Sequence, residues 1–208
     1  MDVLVISACS GDKRFDESPV GCAELDRWPR ERLLDEYPTL VSPAAGMYTG
    51  REHGYVTSAV ANFREEATVT WKIVSAGYGL LDEDDDIVSY DCTFNDDESV
   101  RRRIRRMGYH VDDLTKTETL QALAREKGIP ADLQKTLDTG FDLVFVVLGK
   151  KYLVALAGAL DDLPRGMGAY AIAAKGAKPF IGQAEWIPAT EAVRSALGSD
   201  WFRIRGEL

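Results

Sequence analysis

Histidine and cysteine are the scarce residues of this chain: two of the first and three of the second in 208 positions. The spacings of Cys9, Cys22, Cys92, His53 and His110 fit no zinc pattern, so neither a metal nor any other cofactor is read from the sequence. A serine, histidine and aspartate triad lacks support as well, because neither histidine has an evident partner. An odd number of widely spaced cysteines suits free thiols in a reducing compartment better than a disulfide framework. No stretch approaches the roughly 18 consecutive apolar residues of a membrane helix. The opening MDVLVISACS has no basic flank, which argues against a signal peptide. These absences predict a cytoplasmic chain with no membrane partner.

Positive charge is also in deficit, with 25 lysines and arginines against 34 aspartates and glutamates and a formal net charge of -9. That excludes a generally sticky nucleic-acid or membrane binder, so any polyanion must be met by a local patch. At 45% hydrophobic residues the chain is long enough for one substantial core. No repeat, linker or low-complexity segment divides it.

Val3 to Ala8 is β-branched without alternation, as in a strand covered on both faces. Thr68 to Ser75, Phe141 to Leu148 and Ala169 to Ala174 read as further strands, and Trp201 to Arg205 as one at an edge. Helical stripes cover Ala23 to Tyr37, with Pro29 marking a start or kink, then Ala44 to Glu66, Ser99 to Met107 and Thr115 to Lys127. Gly128-Ile129-Pro130 ends one helix and starts another, loosely like a helix-hairpin-helix grip although ordinary packing explains it too. Lys175 to Phe180 reads as a loop and Thr190 to Leu197 as a short helix. The pattern predicts a single α/β domain, a mostly parallel mixed sheet flanked by helices, with a helical insertion over about 97–138.

Three strands run directly into small and polar residues, which places ligand-binding groups at the carboxyl edge of the sheet. Ser7, Cys9, Ser10 and Lys13 follow the first; Ser75, Tyr78 and Gly79 the second; Gly149 and Lys150 the third. Cys9 is either a nucleophile beside Lys13 or a buried inert thiol. Gly50, within Tyr48-Thr49-Gly50-Arg51, weakens its predicted helix by about 1 kcal/mol and implies close approach of another group. Thr49 and Arg51 could address a phosphate or carboxylate there, or Arg51 could pair with surface acids. Tyr78 and Tyr90 are candidates for stacking on a base, and Asp12, Asp86 and Asp91 for orienting a water. The acidic run Asp82 to Asp86 lacks the alternation of an EF-hand and reads as a solvated loop. Arg101, Arg102, Arg103, Arg105 and Arg106 concentrate positive charge opposite Val100, Ile104 and Met107. They suit a nucleic-acid backbone or, equally, neutralise Asp84 to Asp86 and Asp96 to Glu98.

Ser75-x-x-Tyr78-Gly79-Leu80-Leu81 followed by Tyr90 is similar to a motif of the YaaA-type peroxide-stress proteins, and closer still to a related bacterial and archaeal family with an SAxYGLL core. That family also opens with a strand and a Cys-Ser and Lys loop, like Ser7 to Lys13, and carries a Pro-Ala…Met-Tyr-Thr-Gly-Arg helix, like Pro43 to Arg51. The resemblance implies an α/β fold akin to uracil-DNA-glycosylase-like and tRNA base-modifying domains, with nucleic-acid associations. Two functions follow as expectations. One is a protein that recognises a nucleotide or nucleobase and acts on nucleic acid, as an N-glycosidic or base-modification enzyme. The other is a non-enzymatic stress or accessory factor that holds DNA or RNA with its arginine helix.

Overall fold

The unbroken run Val3–Ile6 lies in β1 (Asp2–Ala8), the central strand of the computed structural model, which describes residues 1–189. After it come β2 (Val20–Gly21), α1 (Cys22–Arg27), α2 (Arg30–Glu36), β3 (Val41–Pro43), α3 (Ala44–Met47) and α4 (Arg51–Phe63). Then follow β4 (Thr68–Ser75), β5 (Gly79–Asp82), β6 (Asp86–Val88) and β7 (Tyr90–Asp91). Helices α5 (Asp97–Arg106), α6 (Lys116–Glu126) and α7 (Ile129–Leu137) form the insertion, and β8 (Leu143–Val147), α8 (Lys150–Ala155), β9 (Gly168–Ala173) and β10 (Glu185–Pro188) complete the described chain. The sequence expectations for Thr190 to Leu197 and Trp201 to Arg205 lie outside the described residues.

The main sheet has the order β10-β9-β8-β1-β4-β5 and is parallel except for β5, which runs back against β4. Its connections reverse direction between β1 and β8, as in doubly wound sheets that bind ligands at that point. Alternate residues of β1 enter two cores. Leu4 and Ile6 pack with α5 to α8 through Ile104, Leu123, Leu133 and Leu153, whereas Val3 and Val5 pack with Leu33, Met47, Val56 and Val60. Burial on both faces is why the strand lacks alternation. Among the described residues, no helix is long and apolar enough to cross a membrane.

Several local expectations are corrected. Ala44 to Glu66 is not one helix: the chain leaves α3 at Tyr48, bridges to Lys13, and restarts α4 with Gly50 as its N-cap. Pro29 caps α2, so Ala23 to Tyr37 is two helices, and Lys175 to Phe180 is a 3-10 turn rather than a loop. The acidic run is not simply solvated. Asp82 pairs with Lys72 at 2.6 Å, Asp85 with Arg30 at 2.6 Å, and Glu83 with Arg64.

The cysteines are not all free. Cys22 and Cys92 form a disulfide across 70 residues, with their Cα atoms 5.1 Å apart, and Cys9 remains a thiol. The parallel ladder of β2 and β7 explains the pairing, since Val20 lies opposite Tyr90 and Gly21 opposite Asp91, which brings the next residues face to face. The reducing compartment inferred from free thiols therefore loses its support, because persistent disulfides favour oxidising surroundings.

Candidate functional site

The loop after β1 and the turn before α4 are built on each other. Arg14 N–H donates to the Met47 carbonyl at 2.8 Å, and Thr49 N–H to that of Asp12 at 3.1 Å. Ser10 Oγ donates to the Asp12 carbonyl at 2.6 Å and accepts from Gly50 N–H at 3.2 Å. A Cβ on Gly50 would lie 2.7 Å from that of Ser10, which is the close approach anticipated from the glycine. Lys13 turns back onto its own loop, donating to the carbonyls of Ser10 at 3.4 Å and Gly11 at 3.2 Å. Its ammonium also sits 4.5 Å above the centre of the Tyr90 ring, and burial lowers its pKa.

Beneath this loop runs a buried line of hydroxyls. Tyr90 Oη lies 2.7 Å from Ser75 Oγ and 3.0 Å from Tyr48 Oη, while Ser75 Oγ accepts from the amides of Gly77 and Tyr78 at 3.2 and 3.0 Å. Burial pushes Tyr48 and Tyr90 well above the ordinary phenol value, so both stay neutral hydrogen-bonding groups. Tyr90 has no exposure, which rules out the stacking role expected of it. Ser7 is likewise structural, accepting from Trp71 Nε1 at 2.9 Å.

A cavity of about 410 Å³ opens above, where the strand order reverses. Ala8 to Gly11 form one wall and Gly149 to Tyr152 the other, with Glu52, Cys92, Thr93 and Asn95 closing it. Cys9 Sγ lies 3.1 Å from Tyr152 Oη, whose pKa is raised by burial and then by the neighbouring Cys9. Phe94, fully buried, packs on Tyr152 with ring centres 5.3 Å apart and fixes the closing segment. Lys150 is exposed at the rim, whereas Lys151 pairs with Asp97, itself 2.7 Å from Lys116. Hydrogen bonds from Lys116 and Lys151 hold the Asp97 carboxyl at about 2. The Lys150 ammonium at the rim and the polar side chains of Thr93 and Asn95 suit a polar ligand whose anionic group lies at the Lys150 end, away from the carboxylate that Glu52 adds to the lining.

Of the residues nominated from sequence, Cys9, Ser10, Gly149 and Lys150 line this cavity. Tyr78 does not. It lines a separate cavity of about 300 Å³ beside Leu25, Trp28 and Leu33, with its hydroxyl on the Val88 backbone and its pKa pushed up to about 12 by burial. Gly79, at φ 89°, meets the Lys127 carbonyl rather than a ligand. Asp12 and Asp91 are exposed near Lys13, and the charges of both raise its pKa against burial. Asp86 lies in β6 against Pro43, beside the acidic turn, and not among the cavity's lining residues. Thr49 and Arg51 are exposed at the start of α4.

The arginine helix is also revised. Arg103 falls three residues after Val100, on the inward face, and is fully buried. Arg101 donates to the Val111 carbonyl, and Arg105 lies 3.8 Å from Asp112. Arg102, Arg105 and Arg106 remain exposed. The Gly-Ile-Pro junction turns at Gly128, φ 72°, and sends Ile129 into the core, which makes it ordinary helical packing. Sequence reasoning missed Glu52, Cys92, Thr93, Asn95 and Tyr152 as cavity residues. Tyr152 stood beside Gly149-Lys150 and was legible from that; the others arrive through tertiary pairing.

No protein-family model, curated protein or solved structure matches the chain. The geometry of the site therefore carries the functional argument.

Proposed function

We propose that the chain binds a nucleotide or nucleobase in the cavity between Cys9–Gly11 and Gly149–Tyr152, as a YaaA-like protein acting on nucleic acid in an N-glycosidic or base-modification reaction. One observation carries this reading: the cavity stands where the sheet's connections reverse, the place at which doubly wound sheets receive nucleotides. Lys150 meets the phosphate, Ser10, Thr93 and Asn95 supply hydrogen bonds to sugar or base, and Cys9 faces the bound group. Phosphate recognition at one rim lysine also fits an acidic protein, because it requires no extended positive surface. The arginine-helix reading is weaker, since Arg103 is buried and Arg101 is engaged with the backbone.

Thermal-shift measurements with nucleobases, nucleosides, nucleoside monophosphates and short oligonucleotides, at low and high salt, test it. The expected result is a salt-tolerant rise in midpoint with one monophosphate, lost in Lys150→Glu. A shift given only by oligonucleotides, vanishing at high salt and in the triple variant Arg102→Glu, Arg105→Glu, Arg106→Glu, overturns it in favour of a backbone binder.

A further inference from the structure

Two of the three cysteines line one cavity in different oxidation states. Cys9 contributes a thiol from the end of β1, and Cys92 contributes a sulfur already bonded to Cys22. Cys92 is only 7% exposed, so the cavity is its route of access. Cys22 is not among the cavity's lining residues, and its Sγ lies 3.8 Å from Ser99 Oγ on α5. The three cysteines thus have distinguishable places: Cys9, a thiol, and Cys92, bonded, both line the cavity, whereas Cys22, bonded, does not.

We propose that this cavity is a thiol–disulfide exchange site in which Cys9 displaces Cys22 from Cys92. The Cys9 thiol gives up its proton to solvent and the thiolate attacks Cys92 Sγ. A Cys9–Cys92 bond forms, the Cys22–Cys92 bond breaks, and Cys22 leaves as a thiolate that takes up a proton. One disulfide and one thiol are present before and after, so no external oxidant or reductant is consumed. Tyr152 Oη, 3.1 Å from Cys9 Sγ, can donate to the entering thiolate, and the Ser99 hydroxyl can donate to the leaving one. Attack falls on Cys92 because it shares the cavity with Cys9, whereas Cys22, the more exposed of the two to solvent, does not line that cavity. Phe94 and the β2–β7 ladder hold the Cys92 segment against the sheet, so the exchange proceeds within the folded chain.

The test is disulfide mapping of Cys22→Ser. Reduced variant is equilibrated at pH 8 in glutathione and glutathione disulfide, quenched with acid, alkylated and digested for mass spectrometry. The expected product is a Cys9–Cys92 cross-link in most molecules, under the buffer that closes Cys22–Cys92 in the unmodified protein. Recovery of Cys9 and Cys92 as separate thiols or separate glutathione adducts overturns the proposal. So does a Cys9–Cys22 cross-link forming as readily in Cys92→Ser, because that reports scrambling in an unfolded chain. If Cys22→Ser does not fold, as read by near-ultraviolet circular dichroism, the unmodified protein decides: a minor Cys9–Cys92 cross-link must appear, and its absence overturns the exchange. No nucleotide enters either readout, so this proposal and the nucleotide reading fail separately.

Discussion

Arg103 and Asp26 form a two-pronged ion pair inside the protein, with Nε 2.8 Å from one carboxylate oxygen and Nη2 2.6 Å from the other. Arg103 also donates to the Ala76 carbonyl at 2.9 Å, and Lys127 joins Asp26 at 3.0 Å while donating to the Leu25 carbonyl at 2.8 Å. Burial alone would raise the pKa of Asp26, but the hydrogen bond and charge of Arg103, with Lys127 behind them, outweigh it and lower the value. Four segments meet around this ion pair: α1, α5 and the end of α6 at the carboxylate, and the turn after β4 at the guanidinium. A residue read from sequence as a surface contact for nucleic acid therefore ties the helical insertion to the sheet.

Replacing Arg103 with methionine leaves Asp26 short of its main partner and is expected to destabilise the fold by about 3–5 kcal/mol. Urea unfolding followed by circular dichroism measures this. Arg102→Met, on the exposed face of the same helix, should change stability by no more than about 0.5 kcal/mol. Equal, small effects from the two substitutions would refute the buried-pair account.

Gly50→Ala brings a methyl group against Ser10 and is expected to cost about 1–3 kcal/mol, as overpacking does elsewhere. The double variant Gly50→Ala, Ser10→Gly removes the opposing Cβ. It should recover part of that loss, whereas two unrelated sites would simply add. Thermal or urea midpoints of the two single variants and the double complete the cycle.

His53 supplies an acid-side dependence with a definite sign. It is buried against Trp71, ring centres 5.1 Å apart; Nε2 donates to the Ala45 carbonyl at 2.9 Å and Nδ1 has no hydrogen-bond partner among the described residues. Burial lowers its pKa, so between the folded value and an unfolded value of about 6.5 the unfolded chain binds a proton that the folded chain does not. Stability should therefore fall as pH drops below about 6.5, by up to about 1.4 kcal/mol per pH unit from this one group. His53→Phe keeps the ring contact and removes the proton site, so urea titrations from pH 8 to 5 should show a flatter profile. Asp26 acts lower in the range. Its contribution is complete above its unfolded value, near 3.8, and is lost as pH falls through its depressed folded value.

The central strands were legible because burial on both faces leaves a mark that does not depend on partners, as in Val3–Ile6 and in FDLVFVVL. Gly50 was legible as a close approach, but the break in the helix around it was not, because the Lys13–Tyr48 bridge that makes the break comes from a loop 35 residues earlier in sequence. Arg103 sits at helical spacing from Val100, so its inward position could have been read. The surrounding arginines drew attention to charge instead of phase. The Cys22–Cys92 pair depends on a two-residue parallel ladder, and nothing in the spacing of three cysteines announces such a ladder. The same fold-back brings Thr93 and Asn95 to the cavity, which is why that part of its lining had no local signal.

Tyr152 gives the last expectation, since its hydroxyl touches Cys9 while its ring packs on Phe94. Tyr152→Phe keeps the ring and deletes its hydrogen bond to the thiol, so the packing of the cavity wall should survive. A charge-assisted hydrogen bond contributes about 1.5–3 kcal/mol, and its loss at a Cys9 thiolate, partly offset by the greater nucleophilicity of the freed sulfur, should slow alkylation of Cys9 by iodoacetamide by roughly fourfold to fifteenfold. The disulfide between Cys22 and Cys92 confines the reagent to Cys9, so mass spectrometry of the intact oxidised protein follows a single addition. A rate unchanged from that of the unmodified protein would mean that the Tyr152 hydroxyl accepts from the thiol and does not serve the thiolate, and the exchange chemistry would then proceed without its help.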